Sequence, residues 1–361
     1  MSAAHVTVDL DDTDGLLNAD HDGLLRGAAM AGAQVRAVAS ALAEGALDSV
    51  ADGQRPRSLV WVGGRGAPDS AGAILAAALG GVASEPIVVA PEVPPWIGPL
   101  DVVIVAGDDA GDSALVAAAA MGVRRGARVV VAAPFEGPLR DATAGRVAVF
   151  EPRMRVPDEF GLSRYLAVGL ATLRAVDPGF DIDLEAFADE LDAEALRNSV
   201  ARDSFTNPAK VLAGRMSGRR VILAGQGPAT IALARHAAVL LVRLAGVTAA
   251  PVGLTDALVA LRMGMPGQFD DPMQALFHDE ELDGPLPHRM RAFVLMLESE
   301  RPVVTARVTG IDDVDTVGIE GTPEAAEPGT APDLPRRTEQ QLAILAVRLE
   351  MTAVYLRLVG G

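Results

Sequence analysis

The run Val102–Ala133, VVIVAGDDAGDSALVAAAAMGVRRGARVVVAA, holds two unbroken apolar blocks separated by an acidic glycine turn and an Ala-rich segment. Apolar blocks of five or six residues with no polar alternation are the pattern of strands buried on both faces, which is how a parallel sheet covered by helices reads. The intervening residues are strong helix formers, and Gly126 is placed to stop them. The unit therefore predicts strand, turn, helix, strand, with Asp108, Asp109 and Gly111 in the turn and Ser113 at the helix start.

The same cadence extends outward in both directions. Upstream, Ser58–Gly63 reads as a buried strand entering a glycine cluster, Asp69–Leu79 as a helix and Pro86–Ala90 as a strand. Downstream, Arg146–Pro152 closes the series, and helices are expected over Leu162–Ala175 and Leu184–Ser199. The α/β pattern then resumes with Arg219–Gly227 (RRVILAGQG), a helix over Thr230–Ala245, and strands over Arg291–Glu298 and Pro302–Val308. Gly310–Arg337 is acidic and rich in Pro and Gly, and is expected to be a surface insertion. Thr338–Val359 reads as one amphipathic helix. The fold class is thus α/β: two three-layer lobes with parallel sheets, joined by helices. The expected divisions are a helical segment over 1–57, a first lobe over 58–152, a helical linker over 153–200, a second lobe over 201–335 and a final helix over 338–361.

Composition excludes several functions. The 361 residues carry a formal charge of −17, half are apolar and none is cysteine. Such a charge repels nucleic acid and anionic membrane surfaces, so neither is expected as a partner. Without cysteine there are no disulfides, thiolate nucleophiles or Cys-based metal sites. Ala229–Val247 comes nearest to a membrane span but is interrupted by Arg235, His236 and Arg243. No secretory signal is visible, and the cytoplasm is the expected location.

Several segments, taken in order, resemble the bifunctional phosphoglucose/phosphomannose isomerases of the sugar isomerase (SIS) fold, in the form of a degenerate member. Gly63-Gly64-Arg65-Gly66-Ala67 is similar to that family's GMGGS turn, and the Asp108–Ser113 loop stands where it has SYSGNTEET. Pro157–Leu170 resembles its linker of type PRAALGYL. Asn207-Pro208-Ala209-Lys210 matches ENPAK almost literally, and Leu342–Gly361 resembles its last helix. The resemblance implies a carbohydrate-derivative ligand such as a sugar phosphate, bound at Gly63, Gly64, Arg65, Gly66, Asp108, Asp109, Gly111 and Ser113, in a cytoplasmic homodimer of carbohydrate metabolism with no cofactor and no metal. The final helix, with Leu342, Leu345, Leu349, Leu356 and Leu358 beside Ala346 and Ala353, carries apolar surface that should meet the other lobe or a second chain.

The chemistry implied by the resemblance is only partly present. Aldose–ketose isomerisation needs neutral hydroxyls and turn amides for phosphate, a carboxylate base and an acid that opens the ring. The family's phosphate-binding hydroxyls fall on Ala106, Asp108, Gly111 and Ala67 here, and its base falls on Val242. His278-Asp279-Glu280 is similar to its HNE, which makes His278 and Glu280 the remaining catalytic candidates. A binding or regulatory role, rather than efficient isomerisation, is therefore expected; an isomerase with rearranged groups is the alternative. A second motif competes. Asp9-x-Asp11-x-Thr13, with Asp108 and Asp112 further on, is similar to the nucleophile and Mg²⁺ segments of haloacid-dehalogenase-type phosphatases.

Overall fold

A computed structural model describes residues 8–51, 53–263, 289–319 and 337–360. Two parallel sheets organise it. The first contains β1 (Ser58–Gly63), β2 (Ile87–Val89), β3 (Asp101–Ala106), β4 (Arg128–Ala132) and β5 (Ala148–Val149), in the order β2-β1-β3-β4-β5. The second contains β6 (Arg220–Gly225), β7 (Ala249–Gly253), β8 (Met290–Leu295) and β9 (Val314–Val317), in the order β7-β6-β8-β9. All described strand pairs are parallel, with Trp61 opposite Ile104 in one lobe and Leu223 opposite Phe293 in the other. The two orders are the same arrangement with one strand fewer in the second.

Around the sheets run α1 (Thr13–Ala19), α2 (Leu24–Ala28), α3 (Ala31–Ala43), α4 (Ala67–Leu79), α5 (Ser113–Arg125), α6 (Gly137–Thr143), α7 (Leu162–Val176) and α8 (Leu184–Arg197). They are followed by α9 (Pro208–Met216), α10 (Pro228–Ala245), α11 (Leu254–Met263), α12 (Arg301–Val308) and α13 (Thr338–Gly360). Alternate strand residues divide the core. Leu59, Trp61, Val102 and Ile104 face a large cluster shared by both lobes, whereas Val60, Val62, Val103 and Val105 join a separate one under α5 and α6. The second lobe repeats this: Val221, Leu223, Phe293 and Leu295 face the shared cluster, and Ile222, Ala224, Ala292 and Val294 pack outward.

Two details explain how each lobe opens. Gly63 and Gly225 end the first strand of their lobes. A Cβ on Gly63 would lie 2.9 Å from the backbone of Asp69, and one on Gly225 would lie 2.5 Å from the nitrogen of Ile231. Only glycine lets the following helix fold back this closely on the strand. Helix α5 is capped by Asp112, whose side chain accepts from the Ala114 amide at 2.8 Å, and it is closed by Gly126 at φ 75°.

Three expectations are corrected. Pro302–Val308 is not a strand but lies within α12: Pro302 sits in the first turn, where its fixed φ fits a helix and its missing N–H costs nothing. The fourth strand of that lobe is instead β9, inside the stretch taken for an insertion. The described part of the helical segment expected over 1–57 holds three helices, α1, α2 and α3, the first two separated at Gly23, which sits at φ 67°. Finally, α13 is not amphipathic. Its residues from Gln341 to Leu356 are buried without interruption, and it packs on α8, α9 and α10 of the same chain, so the apolar surface expected of it is covered within the chain. Likewise α10, long and apolar enough by composition to cross a membrane, is a core helix with 61% of its apolar window buried.

The Asn-Pro-Ala-Lys motif is structural. Asn207 caps α9 by accepting the Lys210 amide at 3.0 Å, and the buried Lys210 ammonium donates to the carbonyls of Val200 and Arg202, both at 2.8 Å. Tyr355 of α13 donates its hydroxyl to the Asn198 carbonyl at 2.7 Å, tying the last helix to the same corner.

Glu350 of α13 and His236 of α10 are buried ionisable groups. Neither Glu350 oxygen nor the His236 Nε2 has a hydrogen-bond partner among the described residues. Burial pushes the Glu350 carboxyl up from its ordinary 4.5 to about 8 and the His236 imidazole down from 6.5 to about 4. Between pH 4.5 and 8 the unfolded chain sheds the Glu350 proton that the folded chain keeps, so stability falls as pH rises, by up to about 1.4 kcal/mol per unit. Below 6.5 the unfolded chain gains a His236 proton that the folded chain lacks, which gives the opposite slope. The Glu350 slope should therefore stand clear between pH 6.5 and 8. Denaturant unfolding across that window should show declining stability in the parent and a much flatter profile in Glu350→Gln; equal slopes would contradict the assignment.

Candidate functional site

Strand order reverses between β1 and β3, and in doubly wound sheets the crevice beyond the carboxyl ends at such a point receives the ligand. Here the crevice is bounded by the Gly63–Gly66 turn and the Gly107–Ser113 loop. Their backbones touch: the Gly64 amide donates to the Ala106 carbonyl at 2.8 Å, and a Cβ on Gly64 would stand 3.6 Å from the Gly107 Cα. Gly66 adopts φ 84° and ψ −127°, a conformation open to glycine alone, and it caps α4 with no side chain over the helix end.

The acidic loop divides by role. Asp109 accepts from the Gly111 amide at 2.7 Å and Asp112 caps α5, so two of the three aspartates brace the loop itself. Asp108 turns inward. It accepts from Arg164 Nη2 at 3.1 Å and from the hydroxyl of Tyr165, and the Arg164 guanidinium lies 4.3 Å from the centre of the Tyr165 ring. Burial pushes the Asp108 carboxyl above its ordinary value, against the lowering effects of Tyr165 and Arg164; Tyr165 is pushed upward too, mainly by burial. Arg164 Nη1 is buried with no hydrogen-bond partner among the described residues.

The second lobe contributes Arg243 from α10. Its Nη1 lies 3.2 Å from the position of a Cβ on Gly66, and its Nη2 donates to Glu159 at 2.7 Å. The neighbouring Val242, where the family's base would fall, is half exposed. Asp108 also joins two cavities. One, of about 420 Å³, includes Gln34, Asp158, Gly161 and Arg164 in its lining; the other, of about 560 Å³, is lined by Asp109, Gly111 and Glu136 among others.

The structure thus brings Gly63, Gly64, Arg65, Gly66, Asp108, Asp109, Gly111 and Ser113 to one edge of the first sheet. Arg65 and Ser113 are exposed. His278 and Glu280 lie outside the described residues. Sequence reading placed Tyr165 and Arg243 nowhere near the loop. The only signal for Arg243 was its place beside Val242, and for Tyr165 its place in the linker resembling PRAALGYL.

The described structure does not support a phosphatase nucleophile loop at Asp9. Asp9 accepts from the Asp11 amide at 2.8 Å in a turn before α1, and Asp11 receives the Ser204 amide and hydroxyl at 2.7 and 2.9 Å. Neither described sheet has a strand leading into Asp9. Among the described residues no cluster of three His, Asp or Glu side chains is placed to hold a metal ion.

No family model matches the chain, and no curated protein matches it in sequence. Solved structures do match over nearly its whole length. Tagatose-6-phosphate ketose/aldose isomerase from Escherichia coli is similar with a TM-score of 0.60 at 16% identity, over 100% of this chain and 95% of that one. The C-terminal domain of glucosamine-fructose-6-phosphate aminotransferase from Francisella tularensis is similar with a TM-score of 0.57 at 10% identity, over 94% and 98%. The fold is therefore the sugar-isomerase fold, as the strand orders and paired glycine turns indicate.

Tyr165→Phe removes one of the two side-chain donors on Asp108. The variant should lose about 1.5–3 kcal/mol in denaturant unfolding at neutral pH, the value of a hydrogen bond to a charged group. The Asp108 carboxyl resonance should titrate at higher pH than in the parent. Unchanged stability and titration would show that the hydroxyl does not serve the carboxylate.

Proposed function

We propose that this chain binds a sugar phosphate or related carbohydrate derivative in the crevice between the Gly63–Gly66 turn and the Asp108 loop, and acts as a binding or regulatory protein rather than an efficient glucose-6-phosphate or mannose-6-phosphate isomerase. The observation that carries this is the state of the crevice's carboxylates. Val242 cannot accept a proton, Asp109 and Asp112 are engaged by their own loop, and Asp108 is held by Arg164 and Tyr165. Phosphate-binding hydroxyls are sparse there, with Ala67 and Gly111 in their places. Arg65 and Arg243 offer positive charge at the α4 N-terminus, where a phosphate would be favoured by turn amides as well.

A second reading has one observation in its favour. A carboxyl with its pKa raised by burial, as at Asp108, is how enzymes tune a general base toward neutral pH. Asp108 could then move the proton, with Arg164 steadying the enediolate. This is the rearranged isomerase.

Coupled assays with glucose-6-phosphate and mannose-6-phosphate should detect no turnover at ordinary enzyme rates, and calorimetry should detect sugar-phosphate binding that Arg65→Ala weakens at least tenfold. Turnover lost in Asp108→Asn or His278→Ala would replace the first reading with the second. Absence of both turnover and binding would remove both.

A further inference from the structure

Four residues of α3, Gln34, Ala37, Val38 and Ala41, follow the i, i+3, i+4, i+7 spacing of one helical face, and only Gln34 among them is polar. Gln34 is 3% exposed. Its Nε2 donates to the Phe160 carbonyl at 2.9 Å, whereas its Oε1 accepts no hydrogen bond from a described residue. Leaving a buried amide oxygen without a donor is costly, so this acceptor is placed for a partner that the chain itself does not supply. What lies beside it is space. All four residues line the cavity of about 420 Å³ between α3 and residues 150–158, and pockets of about 300–1,000 Å³ are of the size that holds a small organic ligand.

Gln34 is not alone. Arg155 and Asp158 also line the cavity and are exposed; Arg155 makes no ion pair or hydrogen bond among the described residues, and the Asp158 carboxylate accepts no hydrogen bond from them. The charges around the cavity decide the class of ligand. Arg153 is engaged by Glu44 and Arg164 by Asp108, which leaves Arg155 against the carboxylates of Glu151 and Asp158. A phosphate therefore finds no surplus of positive charge, and a cation finds a guanidinium. Hydroxyl groups suit such a lining, because each can donate to Gln34 Oε1 or to a carboxylate and accept from a guanidinium. The rest of the wall is apolar, with Val38 and Ala41 from α3 and Phe150 and Met154 from the segment opposite. A pyranose ring matches both parts, with hydroxyls around its edge and C–H groups on its faces.

We propose that this cavity is a pocket for an uncharged glycosyl unit, held at its hydroxyls by Gln34, Arg155 and Asp158 and packed by its C–H face against α3. Asp108 lines both this pocket and the cavity beside the acidic loop, so the two sites are neighbours. The pocket does not depend on a phosphate being bound at the α4 N-terminus, and it holds whether or not the function proposed above is correct.

The test is titration of the full chain with the methyl α-glycosides of glucose, mannose and galactose, followed by saturation-transfer NMR and calorimetry. Their locked anomeric carbon cannot open to a carbonyl, so no isomerase chemistry enters the readout. At least one of the three should bind at one site per chain. Ala37→Leu, which fills the cavity from a half-buried position, should weaken that binding at least tenfold. Arg155→Ala removes an exposed side chain with no partner, so it leaves the fold intact, and it should also weaken binding at least tenfold. Arg65→Ala and an excess of inorganic phosphate should leave the binding unchanged, which separates this pocket from the phosphate place of the first crevice. Failure of all three glycosides to bind at millimolar concentration would overturn the proposal. So would undiminished binding in either variant, each shown folded by circular dichroism, or displacement of the glycoside by inorganic phosphate.

Discussion

The structure depends on the burial of α13 on every side. A helix of 23 residues with almost no solvent face cannot rest on a surface; other elements must surround it. Helices α8, α9 and α10 do so, with α4 of the first lobe touching it as well, which makes one core out of faces from both sheets. This burial brings a charge inside. Arg348 pairs with Glu194 of α8 at 2.7 Å, and its other nitrogens donate to the Gly318 and Ile319 carbonyls at 2.6 and 3.1 Å. All its charge is matched, which is the condition under which a buried pair is tolerated, and losing one partner alone would leave an uncompensated ion. The pair also fixes register, because only one rotation of α13 presents Arg348 to Glu194 and to the end of β9 together.

That core sets the distance between the two lobes and so decides what reaches the candidate site. Helix α10 packs against both α13 and α4, which brings Arg243 to Gly66. A rotation of α10 by one residue would put Val242 there instead. Leu233, Ala237 and Leu241 of α10 are buried in the core shared by both lobes, so apolar packing fixes which face of α10 meets the first lobe.

Much of the fold could be read from the sequence because parallel strands buried on both faces are continuous apolar runs bounded by turns; β1, β3, β4, β6 and β8 all qualify. β9 does not. Val314-Asp315-Thr316-Val317 is short and polar in the middle, and Asp315 is buried only because Arg215 and Arg291 pair with it at 2.6 and 2.5 Å. Such partners, 100 and 24 residues away, cannot be inferred from spacing. α12 departs from the strand its sequence suggests for a related reason: seven residues rich in Val fit either period, and the proline that settles the matter belongs as well to a helix start as to a strand edge. At the site, the turn glycines and acidic loop were visible because they are local. The Asp108–Arg164–Tyr165 group was not, since it joins a loop to a helix 56 residues on. Nor could sequence alone sort the loop's three aspartates into two that bind their own backbone and one that faces the crevice.

The two lobes show the same arrangement reached with different residues. Each has a strand-order reversal, each has a glycine turn opening a helix, and each contains one partly buried carboxylate of the chain itself, Asp108 in the first lobe and Glu300 in the second. A carboxylate at a helix N-terminus is favourable to the fold, because it meets unpaired amides and the positive end of the dipole. It is unfavourable to an incoming anion for the same reason, since the two compete for one set of donors. With a net charge of −17 there is no general attraction to offset that competition, so any anion must be held by the few arginines nearby. Of these, Arg164 and Arg243 are already paired with carboxylates, Asp108 and Glu159. A guanidinium paired with a carboxylate has its charge largely cancelled for any further anion. Among the described residues, Arg65 is thus the arginine beside the first crevice whose charge no carboxylate of the chain offsets.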